Sequence, residues 1–394
     1  MTLTAFRAQR LAMAAQKAGA DLLVASLGEN VQYVSGYYCI NLDVLQRTES
    51  YALFRPSDGA VSIVGSIAEL PSILESVGLE ADLYCYGSFR FAGTAGDPLT
   101  ERLEQVKAER CYGSLAEALS AAILALGGKR VAMDESRCCL TTWNAVAAAC
   151  PGVEIFPGSQ VFMEARLVKH QEEIAGIERS AEIAEGALAY ALKDFRVGMT
   201  EKDLELRFRE ELARQDAELL FFVGTAARRA AYSDTKNTDL AIQMGDMIRF
   251  DFGCIWHGYR SDLARTAVVG QADQKVAAYY EAVRLGTYDA IAAIKPGVTA
   301  EEIFQIAVES TRKNGIPHYE RHHCGHGIGV ECYDRPSVAP GDTTVLEEGM
   351  TLNVETPYYE LGWGGVQMES TVVVTKDGCR YLDKSSDALI VLKG

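Results

Sequence analysis

Three of the chain's six histidines fall in one short run, His322-His323-Cys324-Gly325-His326-Gly327-Ile328-Gly329, with His318 just upstream. Glycine lets backbone approach closely and adopt conformations that other residues avoid. An imidazole between Gly325 and Gly327 can therefore reach a metal or a substrate that bulkier neighbours would exclude. A polar loop or a phosphate-binding turn would use similar residues. A nucleotide fingerprint, however, follows a strand, opens a helix and is answered by an acid about twenty residues later. Here Pro317 and a basic, polar run precede the glycines. Cys324, inside the run, reads as a small packing residue.

An internal repeat connects this run with four acids. Val197-Gly198-Met199-Thr200 opens one helix and Pro296-Gly297-Val298-Thr299 opens another. Each Thr is an N-cap with an acid three residues on, and Thr299 with Glu302 makes a full capping box. The stretch 245–251 then matches 349–355: a turn glycine, a strand, and a closing carboxylate, Asp251 or Glu355. Asp262 precedes a strand over 264–269, and Glu369 precedes one over 371–374. Duplicated half-units packed about a pseudo-twofold axis would bring all four carboxylates together.

Like charges a few ångströms apart raise one another's pKa or recruit cations. With His326 the set is Asp251, Asp262, His326, Glu355 and Glu369. Four negative charges match two divalent ions. Oxygen-rich ligation with one imidazole suits manganese, cobalt, iron or zinc. Two such ions can hold a hydroxide between them and polarise a carbonyl, which is machinery for hydrolysing an amide or related C–N bond. Plainer readings exist for each acid. Asp251 can pair with Arg249 on the same strand face, and Asp262 and Glu369 can be surface residues at strand ends. An unpaired acid inside a strand as apolar as 247–252 would be costly.

The elements that must position these residues occupy two domains, 1–167 and 168–394. A chain of 394 residues, 48% hydrophobic, suits two domains with ample core. The first reads as α/β. A helix over 5–18 stops at Gly19, and 21–26 is a buried strand. Segments 51–54 and 60–64 form a hairpin around Pro56-Ser57-Asp58-Gly59. Strands at 82–86, 130–134 and 153–156 alternate with helices near 100–109, 113–126 and 141–149, so the sheet is mixed or mostly parallel. Segment 159–169 reads as a connection, followed by a helix from 171 to about 195. No flexible linker marks the boundary, so the two domains are expected to pack together.

A net charge of −16 and a pI near 4.9 argue against nucleic acid or an anionic membrane surface as partner. No apolar run is long enough for a membrane span, and the N-terminus lacks the pattern of a signal peptide. The ten cysteines contain no C-x-x-C pair. They read as reduced thiols, which implies a cytoplasmic setting.

Taken together, Asp251-Phe-Gly-Cys-Ile-Trp-His-Gly-Tyr-Arg-Ser-Asp262, the run 322–329, Glu347-Glu-Gly-Met-Thr-Leu-Asn-Val-Glu355 and Gly365-Val-Gln-Met-Glu369 resemble the family of creatinase, aminopeptidase P, prolidase and methionine aminopeptidase. The likeness is strong over about 230 residues of the second domain. It is weaker in the first, through 22–36 (LLVASLGENVQYVSG). It implies a creatinase-type α/β N-terminal domain and an α+β pita-bread C-terminal domain with an internal pseudo-twofold repeat. It also implies a homodimer in which the N-terminal domain helps close the partner's site. Carried across, Asp251 would chelate one ion, Asp262 and Glu369 would bridge both, and His326 and Glu355 would complete the other. Glu355 or Glu369 would relay a proton, and His322 would contact the substrate or leaving group.

Three positions depart from the family pattern. Asp234 stands where the peptidases and creatinase carry a histidine, Tyr333 where the peptidases carry another, and Gln367 where an arginine is common. Asp234 would suit a cationic substrate group, and Tyr333 would donate a hydrogen bond where histidine would shuttle a proton. The expected activity is that of a dinuclear metal-dependent hydrolase of an Xaa-Pro peptide or related small amide. The alternative is a metabolite enzyme of the same fold resembling creatinase, ectoine hydrolase or a dimethylsulfoniopropionate lyase. A catalytically silent binding module would have no need of five ligands.

Overall fold

The computed structural model describes residues 1–45 and 49–394. The chain divides into two units, Met1–Arg166 and Leu167–Gly394.

In the first unit, helix α1 (Leu3–Ala18) starts where the Thr2 hydroxyl accepts from the Ala5 N–H and stops at Gly19, whose φ of 67° is left-handed. Leu11, Ala14 and Ala15 form its buried stripe. Among the described residues the sheet has seven strands: β1 (Leu22–Ala25), β2 (Tyr51–Arg55), β3 (Ala60–Ser66), β4 (Asp82–Tyr86), β5 (Cys111–Tyr112), β6 (Arg130–Met133) and β7 (Glu154–Pro157). Their order is β5-β4-β3-β2-β1-β6-β7. The β2–β3 hairpin and the β1–β2 pair are antiparallel and the remaining pairs parallel, so the sheet is mixed, as the alternating pattern implies. Helices α2 (Gly28–Ser35), α3 (Asn41–Val44), α4 (Leu70–Val77), α5 (Pro98–Arg110), α6 (Leu115–Leu126) and α7 (Leu140–Ala149) complete this α/β layer. The segment read as a connection is instead helix α8 (Ser159–Arg166). The Glu135 carboxylate accepts from the N–H groups of Gly158 and Ser159 and from the Ser159 hydroxyl, capping the helix from a distant strand end. Val161, Phe162 and Ala165 bury its inner face. Neither feature is visible in a local pattern.

The second unit opens with α9 (Gln171–Leu192) and α10 (Glu201–Arg214), followed by β8 (Glu218–Ala226), β9 (Met247–Trp256), β10 (Tyr259–Arg260) and β11 (Leu263–Val269). Next come α11 (Gln274–Ala292), α12 (Ala300–Lys313), β12 (Gly325–Gly327), β13 (Asp334–Ser337), β14 (Thr351–Glu355), the hairpin β15 (Tyr358–Glu360) and β16 (Gly364–Val366), then β17 (Glu369–Val374), β18 (Cys379–Tyr381) and β19 (Ile390–Leu392). The main sheet runs β10-β9-β11-β17-β14-β12-β13, with β8 on β9.

The repeat read from the sequence is built almost identically twice. Thr200 with Asp203 and Thr299 with Glu302 both form complete capping boxes. Gly198 and Gly297 share a φ of 94° and donate to the carbonyls of Ile242 and Leu346. Gly245 and Gly349 have φ of 89° and 90° and donate to Val269 and Val374, each at 2.9 Å. Strand alternation then separates two faces. Ile248, Phe250 and Phe252 pack in one core with α9 and α10, while Leu352, Val354 and Val372 pack in the other with α11 and α12. Burying each such side chain contributes about 1.5–3 kcal/mol. Arg249, Asp251, Asn353 and Glu355 are left on the opposite face. No helix among the described residues is long and apolar enough to cross a membrane.

Candidate metal centre

Strand register aligns the acids. Asp251 on β9 is the Cα partner of Ala264 on β11. Ala264 partners Glu369 on β17, and Glu369 partners Glu355 on β14. One row across four neighbouring strands therefore carries three carboxylates, with alanine, a minimal side chain, in the gap. Asp262 lies two residues before Ala264, just ahead of β11.

His326 enters from β12. The imidazole read as lying on a loop is held in a three-residue strand between β14 and β13. The flanking glycines are required by that squeeze. A Cβ on Gly325 would sit 2.1 Å from the Asn353 carbonyl oxygen, and one on Gly327 2.0 Å from that of Arg335. Nδ1 of His326 lies 3.0 Å from the Gly327 carbonyl. With the proton on Nδ1 donated there, the Nε2 lone pair faces the acids, 3.6 Å from Oδ2 of Asp262. Asp262, His326 and Glu369, all buried, each offer a donor atom within 4.8 Å of the others.

Asp251 and Glu355 stand beside this trio in a cleft of about 250 Å³ that both line. Gln367 joins them, its Nε2 donating to Oδ2 of Asp251 at 3.3 Å and to Oε2 of Glu355 at 3.1 Å. The pairing of Asp251 with Arg249 is also real, at 3.1 Å. The same guanidinium donates to Gln367 and to the carbonyls of Ala230, Tyr232 and Ser233, tying the segment before Asp234 to the acid row.

The carboxylates are under electrostatic stress. Burial, then repulsion from Asp251 and Glu355, pushes Asp262 well above the usual carboxylate range. Burial, then repulsion chiefly from Asp262, does the same to Glu369. Burial raises Glu355 to about 7, with Arg321 opposing and Asp251 reinforcing. Burial raises Asp251 as well, against the pull of Arg249 and Gln367. Burial drives His326 down to about 4, which keeps it neutral, the form that ligates. Four clustered acids, under-supplied with donors and facing a neutral imidazole, fit divalent cations.

The proposed substrate-handling residues lie around this centre. Tyr333 stacks on His326, ring centroids 3.8 Å apart. Asp234 is exposed at the rim of the cleft beside Ser233. His322 is exposed and meets the His323 ring edge-on, with ring centroids 4.4 Å apart. His323 is the imidazole that faces an acid, its Nδ1 3.4 Å from Oε1 of Glu355. Three more partners escaped the sequence reading. Asn353 donates from Nδ2 to Glu369 and to the Asp262 carbonyl. Arg321 lies 3.8 Å from Glu355, and the Cys332 thiol lies 3.1 Å from Asp262. Asn353 had a signal, being polar and two residues before Glu355 on the same strand face. Cys332 and Arg321 had none.

Residues 175–376 match Metallopeptidase family M24, and residues 7–168 match the Creatinase/Prolidase N-terminal domain. The chain is 34% identical to the Xaa-Pro dipeptidase of Pyrococcus furiosus over 232 residues, 58% of this chain and 67% of that one. It is 35% identical to the Xaa-Pro dipeptidase of Lactobacillus helveticus over 233 residues, 58% of this chain and 62% of that one. The matched stretch thus spans about two thirds of these relatives' lengths. The solved structure of an Xaa-Pro dipeptidase from Bacillus anthracis shares the fold, with a TM-score of 0.81 at 23% identity, covering 98% of this chain and 99% of that one.

Proposed function

The chain belongs to metallopeptidase family M24, and on that premise we propose that it is a metal-dependent hydrolase of Xaa-Pro peptides working with two divalent ions. The observation that carries this reading is the acid row closed by His326. Asp251 would hold one ion, His326 and Glu355 would complete the other, and Asp262 and Glu369 would be shared. Bound there, the ions would activate water and polarise the scissile carbonyl. The oxygen-rich donor set suits manganese, cobalt, iron or zinc.

The chain's own residues supply the rest. Glu355, with Oε2 steadied by Gln367 and Oε1 beside His323, would accept the proton released by the attacking water and pass it to the leaving proline nitrogen. Leu220, Phe221 and Val223 form an apolar wall of the cleft that fits a proline ring. Tyr333 donates from its hydroxyl to the substrate, and Asp234 at the rim pairs with the free α-ammonium of a short peptide. A homodimer in the cytoplasm is the expected setting. The peptidase reading is favoured over the metabolite alternative because the relatives matched are Xaa-Pro dipeptidases.

The test is turnover of Gly-Pro, Ala-Pro and Gly-Ala by metal-stripped protein reconstituted with manganese, cobalt or zinc. Cleavage of the proline peptides alone, and only with metal, is expected. Bound metal with no cleavage of any Xaa-Pro peptide would overturn the assignment. Asp234→Asn is expected to raise KM about tenfold for dipeptides with a free amine, with kcat little changed. The same KM as the parent enzyme would remove Asp234 from substrate binding.

A further inference from the structure

Arg249 is fully buried on β9, and its guanidinium reaches five acceptors. Nη1 donates to Oδ2 of Asp251 at 3.1 Å and to Oε1 of Gln367 at 2.8 Å. Nε donates to the Ala230 carbonyl at 3.0 Å, and Nη2 to the carbonyls of Tyr232 and Ser233 at 2.7 and 3.1 Å. Three of these five hydrogen bonds go to one stretch of backbone, the one that delivers Asp234 to the rim of the cleft. The ring of Tyr359 covers the guanidinium, its centroid 5.2 Å from Cζ. The Tyr359 hydroxyl donates to the same oxygen of Gln367 that Arg249 holds.

This pattern distinguishes a clamp from a counter-ion. Neutralising Asp251 needs only a positive charge nearby, which a lysine would supply. Holding three carbonyls and two side chains from one point needs the planar, forked guanidinium. The held backbone is also pressed from the other side by β16. A Cβ on Gly365 would stand 2.4 Å from the Ala230 oxygen, and one on Gly364 3.1 Å from that of Ala227. Behind Asp234, Arg229 is paired with the buried Glu201 and holds the Lys236 carbonyl at 2.8 Å. The Asp234 side chain is exposed and accepts from the Ser233 hydroxyl at 3.3 Å, a bond within its own segment. Its place beside the acid row therefore follows from the backbone that carries it. The charge of Asp234 also reaches Asp251 and repels it, which would push an unclamped rim outward.

We propose that Arg249 is a positioning residue for the substrate. By clamping residues 230–233 to β9 it fixes where Asp234 stands at the rim, and so sets how tightly a peptide's free amine is held. The proposal rests on the reading of Asp234 as the partner of that amine.

The test is Arg249→Lys in the full-length chain, which keeps a charge beside Asp251 and loses the fork. In hydrogen–deuterium exchange of the metal-free protein, the backbone of 229–236 should exchange about tenfold faster than in the parent, with β11 unchanged. With manganese added, KM for Gly-Pro should rise about tenfold while kcat stays within about twofold. Because the effect runs through Asp234, Arg249→Lys combined with Asp234→Asn should be no worse than either change alone. Unchanged exchange over 229–236 would overturn the clamp. A fall in kcat at constant KM, or KM effects that multiply in the double variant, would overturn it too and leave Arg249 a counter-ion of Asp251. If Asp234→Asn raises KM and Arg249→Lys does not, the proposal fails and the reading of Asp234 stands. If Asp234→Asn leaves KM unchanged, or the parent cleaves no Gly-Pro, the reading and the proposal fall together. Gly365→Ala presses on the Ala230 carbonyl and leaves the guanidinium intact. It should raise KM in the same way, and an unchanged KM there would overturn the proposal even if Arg249→Lys does not fold.

Discussion

Asp134 in the first unit and Asp262 in the second are the same residue type at nearly the same depth, 0% and 4% exposed. Their surroundings differ completely. Asp134 accepts from the N–H groups of Ser26 and Leu27 and from the Asn30 amide on one oxygen, and from the Ser136 N–H on the other. Burial alone would raise its pKa, but these donors hold it below the usual carboxylate range. Asp262 receives one side-chain donor, the Cys332 thiol, and has like charges for neighbours, so its pKa moves the other way. A buried carboxylate ringed by donors completes a structure. One ringed by other carboxylates is built for a cation that the chain does not itself contain.

That contrast can be broken most directly at Asp262. Asp262→Asn is expected to cut turnover of Xaa-Pro peptides about a thousandfold or more, some 4 kcal/mol of barrier. The same change should raise the Tm of the metal-free protein, because it removes a repelled charge. A lower metal-free Tm would mean that Asp262 is a structural acid after all. Asp134→Asn should do the reverse, costing about 2–3 kcal/mol of stability while leaving kcat within about twofold. Chemical denaturation and steady-state kinetics on both variants separate the two cases.

The pH dependence sharpens the comparison further. An ordinary glutamate ionises near 4.5, whereas Glu355 is pushed up to about 7. Between these values the folded, metal-free protein keeps a proton that the unfolded chain has released, so this contribution to stability is lost as pH rises toward 7. His323 and His326, both lowered to about 4 from an ordinary 6.5, act oppositely, and their contribution is lost as pH falls from 6.5 toward 4. Above pH 6.5 the acids alone still change. Bound metal holds them ionised, so the gain in Tm on adding manganese should be about 3 °C or more larger at pH 7.5 than at pH 5.5. Equal gains at the two pH values would contradict the repelled-acid account.

The smallest effect is expected at Gln367, which bridges Asp251 and Glu355. Gln367→Met removes two hydrogen bonds to carboxylates and should weaken metal affinity about tenfold by equilibrium dialysis. Unchanged affinity would show that the acids hold their positions without it.

Much of this centre was legible because its signals are local. Alternation along 247–252 and 351–355 separates helix-facing apolar residues from Asp251 and Glu355, and the duplicated Gly-x-Thr caps expose the repeat. The glycines around His326 announce a close backbone approach, now seen against Asn353 and Arg335. Helix α8 was missed because its cap, Glu135, comes from a distant strand end. The sequence by itself therefore determined which side chains were available, on which strands, and on which face of each. Only the tertiary structure decided that His323 turns toward Glu355 while His322 turns outward, that Arg249 and Gln367 brace Asp251, and that Cys332 meets Asp262. The physical reason is that pattern within a strand follows from its own backbone geometry, whereas contacts across the cleft follow from the register of β12 on β14 and of β11 on β17, set by pairings far apart in the chain.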